Sequence, residues 1–157
     1  MSQRYSLTRY VGDHPEQKQE RKMSQLKELA IRLSDAQWEG RSFNCLPIPG
    51  AQEVLQVTLS DQDEIPLYVT ITDTQMLCIA YLFKKEEVKD AMLDELNEQC
   101  LQLNIPMPLS AFAKIDDQYA LFGAISASST FENIQKEIVT LGENAVEALE
   151  ALEDYLK

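Results

Sequence analysis

In the segment Leu67–Thr72, Leu67, Val69 and Ile71 alternate with Tyr68, Thr70 and Thr72. A period of two places the aliphatic set on one face of a sheet. The β-branched and aromatic content suits a pleated surface. Asp73-Thr74-Gln75 is a short polar connection of the kind that joins antiparallel neighbours. The next run, Met76–Phe83, differs. Met76, Cys78, Ala80 and Leu82 face one way, and Leu77, Ile79, Tyr81 and Phe83 face the other. A strand apolar on both faces predicts cover on both. The chain's own helices supply one cover; a helix, the rest of the sheet curling round, or a second molecule supplies the other. A buried helix would also account for these residues, but the run is short and follows a turn, which favours a strand.

The remaining pattern places the other elements around this hairpin. Ser24 is a candidate cap for a helix with the stripe Leu26, Leu29, Ala30 and Leu33. Trp38 anchors the end of that helix to the core. Ser42–Leu46 is a short candidate strand, stopped by the rigid turn Pro47-Ile48-Pro49-Gly50. Val54–Leu59 alternates, with Leu55, Val57 and Leu59 inward, and Ser60–Glu64 is an acidic loop. Lys85–Leu103 reads as a helix with the stripe Val88, Met92, Leu96 and Leu103, joined by Leu93 and Cys100. Asn104-Ile105-Pro106-Met107-Pro108 ends it. Leu109–Ile115 and Tyr119–Ser126 flank Asp116-Asp117-Gln118 as a second hairpin. Ser128 or Ser129 opens a last helix reaching Lys157. The order is α-β-β-β-α-β-β-α, an α+β fold with a five-stranded antiparallel sheet packed with helices.

The last helix carries Phe131, Ile134, Ile138, Leu141, Ala145, Ala148, Leu152 and Tyr155 at alternating spacings of three and four. Leu149 and Leu156 widen the stripe. From Phe131 to Lys157 a continuous helix would span about 40 Å, against about 24 Å for the width of five strands. An overhang would offer its end to a partner. A helix packed on its own sheet would not, and Gly142 is a candidate bend or break.

Composition adds bounds. A chain of 157 residues, 45% apolar and 25% charged, fits one soluble domain. Residues 1–22 read as a flexible N-terminal extension and 23–157 as the domain. Gly12-Asp13-His14-Pro15 breaks any helix there, although Tyr5, Leu7, Tyr10 and Val11 could pack locally. Met23-Ser24-Gln25 repeats Met1-Ser2-Gln3, which suggests a translation start at Met23. No apolar stretch of about 20 residues exists, and the N-terminus lacks a signal peptide's apolar core. The expected location is the cytoplasm, without direct membrane insertion. The net charge is −12: residues 1–32 carry +3 and the rest −15. Such a body repels nucleic acid and anionic lipid and suits a basic protein partner.

Catalytic constellations are missing from the pattern. His14 is the only histidine, and it lies in the expected extension, which argues against Ser-His-Asp or Cys-His catalysis. Cys45, Cys78 and Cys100 have neither zinc-ligand spacing nor a disulfide pattern and read as small buried hydrophobes. There is no glycine-rich phosphate loop. Asp61, Asp63 and Glu64 lack the glycine and distal glutamate of a calcium loop. Asp116 and Asp117 are turn residues before they are paired carboxylates. No metal and no cofactor is expected.

Two resemblances follow. Tyr81-Leu82-Phe83-Lys84-Lys85-Glu86-Glu87, Leu103-Asn104-Ile105-Pro106-Met107-Pro108-Leu109-Ser110 and Asp117-Gln118-Tyr119-Ala120-Leu121-Phe122-Gly123-Ala124 resemble the YjfI family of small bacterial proteins, over Met23–Lys157. That family is a domain of unknown function, so it brings no catalytic residues. Its genes commonly neighbour one for a protein similar to phage shock protein A, a coiled-coil membrane-stress protein. The resemblance therefore implies a possible partner, in envelope stress. The element order is also similar to that of type III secretion chaperones, which are small, acidic, usually dimeric cytoplasmic proteins that bind segments of other proteins. The resulting expectation is a non-enzymatic binding module, chaperone-like or adaptor, acting as a homodimer. Its partner surface would comprise Leu149, Leu152, Tyr155 and Leu156, with Glu143, Glu147, Glu150 and Glu153 steering a basic partner. The alternatives are a small-ligand sensor with a pocket between sheet and helices, and an enzyme using carboxylates at Asp61, Asp63, Asp116 or Asp117.

Overall fold

The computed structural model describes residues 14–157. The expected extension falls largely on residues 1–13, outside the described residues, as do Tyr5, Leu7, Tyr10 and Val11. The first helix, α1 (Pro15–Ser34), starts well before the expected Ser24 cap. Proline suits this first position, since its missing N–H would have no partner there, and the His14 N–H bonds the Gln17 side chain at 3.4 Å. This opening half has no apolar stripe. It is tied down by polar contacts instead: Lys22 to Asp73 at 2.5 Å and Gln19 to the Ala51 carbonyl at 3.2 Å. The buried stripe Leu26, Leu29, Ala30 and Leu33 is the one the spacing predicts.

Seven strands follow, rather than five: β1 (Gln37–Trp38), β2 (Arg41–Ile48), β3 (Val54–Leu59), β4 (Gln62–Ile71), β5 (Gln75–Lys84), β6 (Ala111–Ile115) and β7 (Gln118–Ser126). They form one antiparallel sheet in the order β1-β2-β3-β4-β5-β7-β6. The expected Ser42–Leu46 strand runs on through Pro47. Proline is tolerated because β1 pairs only with Arg41 and Ser42, leaving the rest of β2 at the sheet edge. The expected acidic loop is only a turn at Ser60-Asp61, with Gln62–Glu64 already in β4.

The segment after β5 is not one helix. Two 3₁₀ turns, Lys85–Glu87 and Asp90–Met92, precede α2 (Leu93–Leu103). Val88 instead pairs with Leu156, the Lys89 N–H reaches the Tyr155 carbonyl at 2.9 Å, and the Lys157 N–H reaches the Glu87 carbonyl at 2.8 Å. Backbone committed to the C-terminus in this way is unavailable for helix bonds. The last helix, α3 (Phe131–Leu152), is capped by Thr130, whose hydroxyl accepts from the Asn133 N–H at 3.3 Å, and not by Ser128 or Ser129.

All three α-helices of the described residues lie on one face of the sheet. Leu26, Leu29 and Leu33 of α1 and Ile134, Ile138, Leu141 and Ala145 of α3 meet Leu55, Val57, Leu67, Val69, Cys78 and Leu121. A second cluster joins Leu96 and Cys100 of α2 to Phe83, Val88, Tyr119 and Leu152. Phe83 reaches this side through a register shift between Tyr81 and Phe83, which overturns its expected outward direction. Gly142 does not break α3, which runs through it. An added Cβ there would lie 2.8 Å from Leu59 Cδ1, so the glycine permits close approach of helix and sheet. The fold is α+β: one antiparallel sheet with a single helical layer.

Candidate functional site

The helical layer leaves the other face of the sheet open among the described residues. Register places Leu46, Gln56, Tyr68, Ile79, Phe122 and Ala111 in one row across six strands. On one side of that row lie Ile48, Val54, Thr70, Leu77 and Ala124. On the other lie Asn44, Thr58, Tyr81, Ala120 and Ala113. None of these side chains is charged. Leu46 is 58% exposed, Tyr81 41% and Phe122 36%. Tyr68 and Tyr81 meet edge to face at 5.8 Å between ring centres. Apolar patches of this extent on a soluble chain mark interaction surfaces. Of the two covers expected for β5, the described residues supply the one on the helix side.

One end of the open face runs into a cleft of about 710 Å³, lined by Tyr81, Lys84, Lys85, Glu86, Asp90, Ile115, Asp116, Asp117 and Gln118. It lies at the end of the sheet, not between sheet and helices where the sensor alternative places its pocket. Asp116 adopts a left-handed φ of +52°, a conformation that aspartate tolerates in tight turns. Asp61 lies in the β3–β4 turn and pairs with Arg41 at 2.9 Å; Arg41 also pairs with Glu143 at 2.6 Å. The β3–β4 and β6–β7 turns are at the same end of the sheet, but β5 separates them. The four expected carboxylates are therefore not brought together. No group of three or more potential metal ligands occurs among the described residues.

The expected partner residues lie elsewhere than expected. Leu152 is 1% exposed in the second core cluster, and Leu149, Tyr155 and Leu156 pack against it. Leu156 pairs with Val88, and the Tyr155 hydroxyl donates to Glu95 at 3.3 Å. The helix does not overhang, because the 85–92 segment and α2 close around its end. Of the four, Leu152 is core, and Leu149, Tyr155 and Leu156 are half-buried around it. Glu143 is engaged by Arg41, while Glu147, Glu150 and Glu153 are exposed.

A polar cluster beneath α3 escaped the sequence pattern. Glu137 is 2% exposed, and its Oε1 has no hydrogen-bond partner. Burial pushes its carboxyl above the usual carboxylate range. The carboxyl sits over Gly123 of β7, where a Cβ would fall 1.8 Å from Oε1. Glycine inside a strand is a sign of such close approach. Nearby, Asn144 Nδ2 donates to the Pro108 carbonyl at 2.8 Å and to Ser110 Oγ at 2.9 Å. This fixes the loop before β6 against α3. Cys78, paired across the ladder with Gly123, has its thiol pushed up to about 12 by burial and then by the Glu137 charge. Burial raises Cys100 to about 11 and also raises Cys45. These are protonated, unreactive thiols at neutral pH.

A family model described as an uncharacterised protein conserved in bacteria, DUF2170, matches residues 23–156. The protein YjfI of Escherichia coli K12 is 25% identical over 114 residues, covering 70% of this chain and 84% of its own. YjfI of E. coli O157:H7 matches to the same extent. Among solved structures, the crystal structure of YbjN, a candidate transcription regulator from E. coli, aligns at a TM-score of 0.57. It is 17% identical and covers 83% of this chain and 91% of its own. The ExoU–SpcU heterodimer of the Pseudomonas aeruginosa type III secretion system aligns at 0.47, with 14% identity, over 81% of this chain and 93% of the matched one. At these identities the likeness to YbjN is one of fold.

Proposed function

The chain belongs to the DUF2170 family, and from that premise we propose that it is a non-enzymatic protein-binding module, chaperone-like or adaptor, that docks a protein surface on its open sheet face. One observation carries the reading: three rows of uncharged, largely apolar side chains, the middle one crossing six strands, have nothing from the described chain over them. Burying such a face releases about 25 cal/mol for each Å² of apolar surface, and its aromatic residues supply anchors of the kind that dominate binding. A chain of net charge −12 disfavours nucleic acid as the occupant. The gene neighbourhood implied by the family resemblance makes a phage shock protein A-like coiled coil the first protein to examine as a client of this module.

The test is site-specific photo-crosslinking in the producing cell, with the photoreactive residue placed at Phe122, at Tyr81, or at Glu28 on the exposed side of α1. Protein adducts from Phe122 and Tyr81 but not from Glu28 are expected. Adducts from none of the three, or from Glu28 alone, would end the proposal.

A further inference from the structure

We infer that the occupant of the open sheet face is a second copy of this chain, in a two-fold, sheet-on-sheet dimer. The inference rests on the docking reading above and names its partner. Charge is the first argument. A quarter of the chain is charged and its net charge is −12, yet the three central rows of this face carry no charged side chain. Two identical acidic molecules meeting through their helical layers would oppose residues such as Glu147, Glu150 and Glu153. Meeting through these three rows, they oppose none. A basic partner, by contrast, would be matched by acids within the patch, and the patch has none.

Relief is the second argument. Phe122 lies between Ile79 of β5 and Ala111 of β6, with Ala124 two residues further along its own strand. Ile79 and Phe122 form a ridge beside the lower ground at Ala111 and Ala124, so the face carries a projection and a hollow together. A two-fold interface uses the same patch on both copies, so it requires that kind of self-complementarity. Size is the third. The middle row crosses six strands, about 24 Å at the usual strand spacing, and the three rows together take up five residues of each strand, about 17 Å. The outline is about 400 Å² per copy, about half of what a standard stable interface buries on each side, which places the dimer among the smaller, dissociable interfaces. Two sheets so joined would stand about 10 Å apart.

Sedimentation velocity on the full chain over a wide concentration range tests this. The wild type is expected at the mass of two copies at high concentration. Phe122→Asp and the milder Phe122→Ala are expected to weaken association, the former by roughly thirtyfold or more, as for an aromatic anchor buried in an interface. Their circular dichroism should match the wild type, and Glu147→Lys on the helical layer should leave association unchanged. A single-copy mass for the wild type at every concentration would overturn the inference, as would a dimer indifferent to both Phe122 variants. In the first case, a photo-adduct between Phe122 and a different protein would leave the docking reading standing while excluding the second copy. The absence of any adduct would end both.

Discussion

Replacing Gly123 by alanine tests how α3 sits on the sheet. The new methyl would lie 1.8 Å from Glu137 Oε1, 3.0 Å from its Cδ and 3.2 Å from the Leu109 carbonyl oxygen. Ordinary contact requires the carboxyl to withdraw by about 1.5 Å. Little room exists, because Glu137 is 2% exposed and α3 is held close to the sheet at Gly142 as well. Overfilling a packed interior costs about 1–3 kcal/mol. Gly123 does not have a positive φ, so alanine meets no backbone penalty and recovers about 0.4–1 kcal/mol through the unfolded chain. The net expectation is a loss of about 1–2 kcal/mol. With a urea dependence of about 1–3 kcal/mol per molar, the midpoint falls by about 0.5–1 M. The assay is urea unfolding followed by far-ultraviolet circular dichroism at one fixed protein concentration, since self-association would otherwise shift the midpoint. The cycle with Glu137→Ala separates this contact from any other effect. The double variant should be more stable than the sum of the two single losses by about 1 kcal/mol or more. An unchanged or raised midpoint for Gly123→Ala, or strict additivity in the cycle, would refute the reasoning.

Three other outcomes follow from the same structure. Because burial raises the Glu137 carboxyl in the folded state, the native protein binds more protons than the unfolded chain between the ordinary value of 4.5 and the raised one. The stability from this group is therefore full below the ordinary value and is lost as pH rises through the folded one. Glu137→Gln should flatten that decline in urea midpoints measured from mild acid to neutrality, and parallel curves for wild type and variant would contradict it. Leu152→Ala removes a side chain that is 1% exposed and should cost about 2–5 kcal/mol. Leu101→Ala, at 70% exposure, should stay within about 0.5 kcal/mol, and thermal melts compare the two. Cys78 and Cys100 should resist maleimide labelling at neutral pH until the protein unfolds; rapid labelling of Cys78 in native protein would show that the core opens.

The sheet and its helix-facing side were legible because strand alternation and a three-four stripe report directly which residues share a face. Leu67, Val69 and Ile71 are inward as their spacing demands, and the stripe of α3 from Ile134 to Ala148 is buried. What lies opposite a stripe is not local information. Leu149, Leu152, Tyr155 and Leu156 are apolar both for a partner surface and for a core, and the burial of Leu152 depends on the 85–92 segment, held there by the pairing of Val88 with Leu156. The same pairing turns the expected 85–92 helix into 3₁₀ turns. The opening of α1 was hidden because ion pairs and side-chain bonds, not an apolar stripe, hold it. Glu137 was hidden for the converse reason, as an acid within an amphipathic helix reads as surface. Glycine at position 123, inside an otherwise bulky strand, was the available signal. The open face was half legible: β5 was apolar on both sides, but the bareness of its second side required the placement of every helix.

The most direct test of the docking face is hydroxyl-radical footprinting of Tyr68, Tyr81 and Phe122, in dilute purified protein and in concentrated native extract. The account predicts that these three side chains react readily when dilute and become protected in the concentrated state, while exposed residues of the helical layer such as Leu101 stay equally reactive in both. Equal reactivity of Tyr81 and Phe122 under the two conditions would mean that nothing docks on this face.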